Sequence, residues 1–148
     1  ILYIIRELLN FDPVSSKTNI GAAVEFMTNA IKKRCTVFIL SDFFDKDDFT
    51  SQLTIANRRH DVVALQIYDQ RLAELPNIGI IKVCDAETGS ETYIDTSSRQ
   101  TRRAHHEWWV RNQMLLRNIF TKSNVDNISI RTDEDFVKAL MMLFRRRA

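Results

Sequence analysis

The chain has 148 residues, of which 45% are hydrophobic and 27% charged, a composition typical of one globular domain and not of a disordered segment. The formal net charge is only +2, from 21 basic and 19 acidic residues, which argues against a dedicated nucleic-acid-binding domain. Three scattered glycines and two isolated cysteines exclude a phosphate-binding glycine loop and a disulfide framework. Purely apolar runs extend over only a few residues, so we predict no membrane-spanning helix.

The first nine residues have the pattern of an amphipathic helix. Apolar residues at positions 1, 2, 4, 5, 8 and 9 fall on one helical face, with no capping residue ahead of them. The first methionine is Met27. We therefore expect the chain to be a piece of a longer protein.

Helical and strand patterns alternate along the rest of the chain. We predict a loop at 12–17, then a helix capped by Thr18 or Asn19 and running to about 33, and then a strand at 35–40 buried on both faces. A helix at 48–59 and a buried strand at 61–68 follow, and then a hairpin with strands at 78–84 and 91–95. The last predicted elements are a long helix at 98–122, a strand at 126–130 and a final helix beginning near 132. Strands that alternate with helices imply parallel crossovers. The predicted fold is a doubly wound α/β domain with a mostly parallel sheet and one inserted β-hairpin.

Two predicted strands end in an aspartate, Asp42 and Asp69, at the edge of the sheet where open α/β folds bind ligands. The first is the richer position, because Asp45, Asp47 and Asp48 follow it. Oxygen ligands of this kind suit Mg²⁺, Mn²⁺ or Ca²⁺. The last three aspartates also fit the cap of the next helix, and for them we favour that interpretation. Asp42 lies directly at the strand end and is the metal candidate.

Two segments resemble parts of the metal-ion-dependent adhesion site of von Willebrand factor A domains. They are Thr18-Asn19-Ile20-Gly21-Ala22-Ala23-Val24 and Val37-Phe38-Ile39-Leu40-Ser41-Asp42. In that family a loop threonine and a strand-end aspartate hold a divalent cation, directly or through water. The resemblance implies Thr18 and Asp42 as metal ligands, with Ser41 and Asp45 as neighbours of the site.

The same resemblance implies what surrounds the site. A D-x-S-x-S loop after the family's first strand supplies further ligands, and both would lie upstream of Ile1. We therefore expect residues 1–148 to form a single partial von Willebrand A-like domain, with weak or absent binding of Mg²⁺, Mn²⁺ or Ca²⁺ by the chain alone. The missing strand would leave a sheet edge exposed, so we also expect the chain to associate into a dimer or larger assembly.

Short motifs in order along nearly the whole chain sharpen the resemblance to a bacterial von Willebrand A-like family of unknown function, encoded beside MoxR-type AAA ATPases. They include Phe11-Asp12-Pro13, Ser41-Asp42-Phe43, Arg58-Arg59-His60-Asp61-Val62, Glu74-Leu75-Pro76, Asp85-Ala86-Glu87-Thr88-Gly89 and Thr132-Asp133-Glu134-Asp135. Phe43 stands where many adhesion-type domains have glycine. The resemblance implies a non-enzymatic protein-interaction domain in which a bound cation accepts a partner's carboxylate. We expect a cytoplasmic location, with a membrane-associated parent protein as the alternative. The implied partner is a MoxR-type ATPase or its client.

Two other functions remain open. Strand-end carboxylates also build metal-dependent hydrolases. The basic helix at 99–122, with Arg99, Arg102, Arg103 and Arg111, also suits nucleic acid or anionic lipid. The aromatic and aliphatic residues of that helix recur at helical spacing, which favours a place in the core: Ala104, Trp108, Leu115, Leu116, Ile119 and Phe120.

The histidines and cysteines are interpreted as structural. His105 and His106 point about 100° apart on a helix, so they do not chelate one metal from one face. His60 lies at a helix end, where it suits the dipole. Cys35 and Cys84 fall in strand patterns and are expected to be small buried hydrophobic residues in a reducing compartment.

Overall fold

The computed structural model of the chain describes residues 1–12, 17–85 and 88–147. The elements in chain order are α1 (Leu2–Asn10), α2 (Ile20–Ala30), β1 (Thr36–Ser41), α3 (Thr50–Arg59), β2 (Asp61–Tyr68), α4 (Gln70–Ala73), β3 (Ile80–Cys84), β4 (Glu91–Asp95), α5 (Arg99–Ser123), β5 (Asp126–Arg131) and α6 (Phe136–Arg147). Most of the loop predicted at 12–17, and part of the hairpin turn before Gly89, lie outside the described residues.

The described strands form two separate sheets. The larger has the order β1-β2-β5 and is parallel throughout, with Leu40 beside Leu65 and Gln66 beside Ser129 in the register. Strands β3 and β4 form an antiparallel hairpin of their own. The predicted α/β class, with a mostly parallel sheet and an inserted hairpin, is confirmed.

Strand β2 supplies the centre of the hydrophobic core, because its alternate side chains enter the layers on both faces of the sheet. Val62 and Ala64 pack in the layer formed with α2, α3 and α5, where Leu53 and Phe120 are buried. Val63 and Leu65 face the other way and pack with Leu143 of α6. Residues 62–65 are all buried, as their continuous apolar pattern predicts.

Strand β1 was predicted to be buried on both faces, and this is wrong. Among the described strands it pairs only with β2, so it forms an edge of the sheet. Its side chains alternate between half-buried and exposed, with Phe38 44% and Leu40 64% exposed. Val37 and Ile39 pack against the core beneath α2, while the opposite face lacks full cover.

Helix α1 forms where the amphipathic pattern predicts it, but none of its residues is buried. The guanidinium of Arg6 lies 5.3 Å from the centre of the Tyr3 ring, and Arg6 also pairs with Glu7 at 3.7 Å. Because no residue of α1 is buried, the apolar face of this helix is open to solvent. No helix in the described part of the chain is long and apolar enough to cross a membrane.

The core prediction for α5 is partly correct. Trp109, Leu116 and Phe120 are buried, since they lie on the helical face that meets the sheet. Trp108 is 39% exposed and Leu115 is 63% exposed. Ala104 is exposed as well, so the prediction is wrong for these three residues. Trp108 and Leu115 are each next to a buried residue, Trp109 and Leu116, and successive side chains point about 100° apart on a helix.

Candidate functional site

The loop that follows β1 is held by its own side chains. The Phe43 N–H donates to Ser41 Oγ at 3.0 Å, and the Phe44 N–H donates to Asp42 Oδ1 at 3.2 Å. Phe43 has a left-handed backbone with φ of 59°, a conformation uncommon for a residue other than glycine. Its ring is buried against Phe120, at 5.1 Å between ring centres, and this burial offsets the backbone strain. The loop is therefore fixed, with the Asp42 side chain exposed at its tip.

Asp45 connects this loop to the start of α2. The Ile20 N–H, at the first position of that helix, donates to Asp45 Oδ2 at 2.7 Å across 25 residues of sequence. Asp45 Oδ1 accepts the Asp47 N–H at 3.1 Å. The first N–H groups of a helix have no partner within it and favour a negative charge. The interpretation of Asp45 as a cap of the following helix α3 is therefore wrong, because its carboxylate accepts the first N–H of α2 instead.

Thr18 lies just ahead of the same helix. Asn19 is the residue that caps α2, since Asn19 Oδ1 accepts the Ala22 N–H at 2.7 Å. Thr18 is exposed and lies two residues before Ile20, so it is within roughly 7 Å of chain length from the Asp45 contact. Thr18 and Ser41 also line one groove between α2 and β1. The structure thereby brings the two loops that carry the predicted ligands to the same end of the sheet.

Gln66 is a residue of this site that the sequence analysis missed. It is 2% exposed, and its Nε2 donates to the Asp42 carbonyl at 3.3 Å, while its Oε1 accepts the Ser129 hydroxyl at 2.7 Å. One amide therefore joins the carboxyl ends of β1, β2 and β5. An amide within the otherwise apolar strand at 61–68 was the signal that could have identified it.

A cavity of about 300 Å³ opens between this loop and α5. Asp42 and Lys46 lie on the loop side, and Asn112, Leu116 and Lys122 lie on the helix side. Asp48, at its rim, accepts both the N–H and the hydroxyl of Thr50 at the start of α3. The Thr50 hydroxyl, followed by its N–H, holds the pKa of Asp48 below the usual 3.8. Asp48 therefore accepts the first N–H group of α3, although the cap position itself is Phe49.

The donor atoms fit a hard divalent cation in type but do not form a complete cage. Ser41, Thr18 and Asp42 carry hydroxyl and carboxylate oxygens, which Mg²⁺ and Mn²⁺ prefer. Thr18 and Ser41 line the groove between α2 and β1, whereas Asp42 lines the cavity between the loop and α5. One oxygen of Asp42 already accepts a backbone N–H. Within residues 1–12, 17–85 and 88–147, no three or more His, Cys, Asp or Glu side chains are grouped closely enough to hold a metal. A cation held here would need water or further groups to complete its coordination.

The basic residues predicted as an interaction face on α5 divide into two kinds. Arg102 donates to the carbonyls of Thr96 and Ser97 at 2.6 and 2.9 Å, and so fixes the turn before α5. Arg103 pairs with Glu107 at 2.9 Å. Arg99 and Arg111 are exposed. Part of the positive charge of this face is therefore used within the fold.

The two adjacent histidines have packing roles, as expected. His105 Nε2 lies 2.9 Å from the Leu72 carbonyl, and His106 Nδ1 lies 3.4 Å from the Ala73 carbonyl. Both contacts attach the short helix α4 to α5.

The cysteines differ from the prediction. Cys84 is exposed at the end of the hairpin strand β3, so the expectation of burial is wrong there. Cys35 is half-buried, with its sulfur 3.5 Å from Nδ1 of the buried His60. The hairpin lies outside the main sheet, which explains why a strand pattern did not imply burial for Cys84.

Comparison with known proteins places the chain in a family. A family model described as "Protein of unknown function DUF58" matches residues 1–114. An uncharacterized protein of Mycobacterium avium is 33% identical over 89 residues, which cover 59% of this chain and 53% of the relative. An uncharacterized protein of Mycobacterium tuberculosis is 29% identical over 89 residues, which cover 59% of this chain and 28% of the relative. The chain thus spans about half or less of the length of these relatives, and no solved structure matches it. Since the family model covers well over half of the chain, the protein belongs to the DUF58 family, a bacterial family of unknown function.

Proposed function

We propose that this protein is a non-enzymatic, metal-assisted protein-interaction domain that recognises its partner at the carboxyl end of β1. The observation that carries the proposal is the bond from the Ile20 N–H to Asp45 Oδ2. That bond joins the loop of Thr18 to the loop of Asp42, so that two oxygen-bearing side chains from distant positions share one end of the sheet.

The proposed recognition depends on one exposed carboxylate on a fixed loop. Asp42 is exposed, and its backbone is held by the Gln66 amide and by the buried ring of Phe43. A divalent cation bound by Asp42, Thr18 and Ser41 would supply a localised positive charge with coordination positions open to a partner's carboxylate. A fixed loop lowers the entropy lost when the contact forms.

The polar groups around Asp42 support binding more than turnover. The Ser41 hydroxyl accepts a backbone N–H, and the Gln66 amide is bonded on both sides, to Asp42 and to Ser129. These groups hold the loop in shape, which is the role expected of a recognition surface. The resemblance to a von Willebrand A-like family encoded beside MoxR-type ATPases supports such an ATPase, or its client, as the cytoplasmic partner in protein assembly or maturation.

The proposal is tested by capture of a purified MoxR-type ATPase from the same organism on the immobilised chain, with Mg²⁺ or with a chelator. We expect retention with Mg²⁺ that falls at least about tenfold with the chelator or in Asp42→Ala, since a lost charge-assisted contact costs about 1.5–3 kcal/mol. Asp47→Ala is the matched control, because it removes an exposed carboxylate from the same loop. Equal retention with and without Mg²⁺, or equal loss in both variants, would contradict the proposal.

A further inference from the structure

Helices α2, α3, α5 and α6 all end at the edge of the sheet opposite to the proposed recognition site, and three of them, α2, α3 and α6, end in or are followed directly by exposed cations. Helix α2 leads into β1 and helix α3 leads into β2, so both end beside the amino ends of parallel strands. Helix α6 follows β5 and packs back along it. All three helices therefore run antiparallel to the strands, and their last residues meet at one end of the molecule.

Specific contacts bring these helix ends together. The Asp61 N–H donates to the Cys35 carbonyl at 2.9 Å, which places the start of β1 beside the start of β2. Arg147, at the end of α6, forms ion pairs with Asp61 and with Asp126, the latter at 2.9 Å. Arg146 donates to the Asn127 carbonyl at 3.1 Å. The last turns of the helices are thus fixed relative to one another.

This end of the molecule carries a dense group of exposed cations, which we call the basic end. It consists of Lys32, Lys33, Arg34, Arg58, Arg145 and Arg146, all exposed. Within the described part of the chain, none of these six has an ion pair with a carboxylate. Two of the nearby acids, Asp61 and Asp126, are engaged by Arg147, which is not one of the six.

The opposite end of the sheet has the opposite charge. Asp42, Asp45, Asp47 and Asp48 follow β1, and the acidic segment at 133–135 follows β5. The net charge of +2 is therefore small although basic residues predominate at one end of the strands and acidic residues at the other. On the nucleic-acid or lipid face predicted on α5, Arg103 is paired with the carboxylate of Glu107, whereas within the described residues no cation of the basic end has such a pair. The basic end is the stronger anion-attracting surface.

Exposed apolar side chains lie among these cations. Ile31, beside Lys32, is 41% exposed, and Met142 and Phe144, beside Arg145, are 60% and 49% exposed. Cations interspersed with exposed aliphatic and aromatic side chains suit a bilayer interface, where lipid phosphates meet the cations and the acyl boundary accepts the apolar groups. A nucleic acid would satisfy the cations but leave Ile31 and Met142 in contact with polar backbone and water.

We infer that the basic end docks on the surface of an anionic lipid bilayer. This orientation directs the carboxyl ends of the strands, with Asp42, away from the membrane. The inference is independent of the proposed metal site, because it uses the opposite end of the sheet and none of the same residues.

The test is sedimentation of the chain with vesicles of phosphatidylcholine alone or with about one third phosphatidylserine, at about 0.1 M ionic strength, where the Debye length is about 10 Å. We expect retention on the anionic vesicles that disappears at high salt. Arg145→Gln/Arg146→Gln and Lys32→Gln/Lys33→Gln should each weaken retention by more than about tenfold, since each cation near an anionic surface contributes about a fivefold effect. Circular dichroism verifies that each variant is folded.

The matched control is Arg99→Gln/Arg111→Gln, which lowers the net charge by the same two units at exposed positions on α5. It should bind as the unmodified chain does, and an equal loss would overturn the inference. Equal retention on both kinds of vesicle would also overturn it, because it would indicate apolar insertion by α1.

A labelled oligonucleotide is titrated in parallel. Binding to it that depends on the same six cations, without retention on anionic vesicles, would assign the basic end to nucleic acid instead.

Discussion

Strands β1 and β2 are neighbours with nearly the same kind of sequence, yet they have opposite environments. Leu40 and Leu65 are directly paired in the register, but Leu40 is 64% exposed and Leu65 is 7% exposed. Strand β2 has neighbours on both sides and helices on both faces, whereas β1 pairs on one side only. An apolar run therefore indicates what a strand is suited to pack against, and the burial it achieves depends on which elements are present beside it.

The largest expected effect tests this comparison directly. Leu65→Ala should lower the free energy of unfolding by about 2–5 kcal/mol, because it removes buried methyl groups and leaves a cavity. Leu40→Ala, the same chemical change at the paired position, should cost less than about 1 kcal/mol when both variants are measured at protein concentrations low enough for the chain to be monomeric. Urea denaturation of the two variants measures the difference. Equal losses would mean that β1 is covered in solution.

The sequence predicted β2 well because its burial is decided by local pattern and a central position. The predicted bounds of most helices and strands are close to those observed, because they too depend on local pattern. The strands at 35–40 and 78–84 were harder, since the exposure of Leu40 and of Cys84 depends on how many strands are paired beside them. The resemblance predicts Thr18 and Asp42 as ligands, but no local pattern shows that Asp45 accepts the Ile20 N–H across 25 residues. The role of the Gln66 amide likewise depends on the three strands that it joins, and the local sequence does not show it.

The exposed edge of β1 predicts self-association. An unpaired strand edge with exposed apolar side chains favours pairing with another chain. We expect light scattering to show a dimer or larger assembly, and Phe38→Lys/Leu40→Lys to raise the dissociation constant by about tenfold, which corresponds to about 1.4 kcal/mol. Lys138→Glu on α6 serves as a charge-changing control. A monomer at all concentrations would contradict this prediction.

The loop after β1 depends on its connection to α2. Asp45→Ala removes the acceptor of the Ile20 N–H and should lower the free energy of unfolding by about 0.5–2 kcal/mol, the range for loss of a helix cap. Asp47→Ala, in the same exposed loop, should change it by less than about 0.5 kcal/mol. Thermal unfolding followed by circular dichroism compares the two. A larger effect at Asp47 would show that the loop is held differently.

The smallest expected effect is the acid dependence at Asp48. Its pKa is lowered from 3.8 in the folded chain by the Thr50 hydroxyl and N–H. A lowered folded pKa means that the stabilising contribution is present above the unfolded pKa and is lost as the pH falls through the folded pKa. Asp48→Asn should therefore unfold with a slightly weaker pH dependence below about pH 4. An unchanged acid profile would show that the Thr50 contact does not persist in solution.

We propose that Asp42 and Thr18 hold a divalent cation at the carboxyl end of β1. The most direct test of this proposal is a Mn²⁺ titration of the ¹⁵N-labelled chain, because paramagnetic broadening reports a binding site even at low occupancy. We expect the amide signals of Thr18, Asp42 and Phe43 to disappear early in the titration. This loss of signal should be absent in Asp42→Ala and should still occur in Asp47→Ala. Broadening centred on the acidic segment at 133–135, or broadening that persists unchanged in Asp42→Ala, would contradict it.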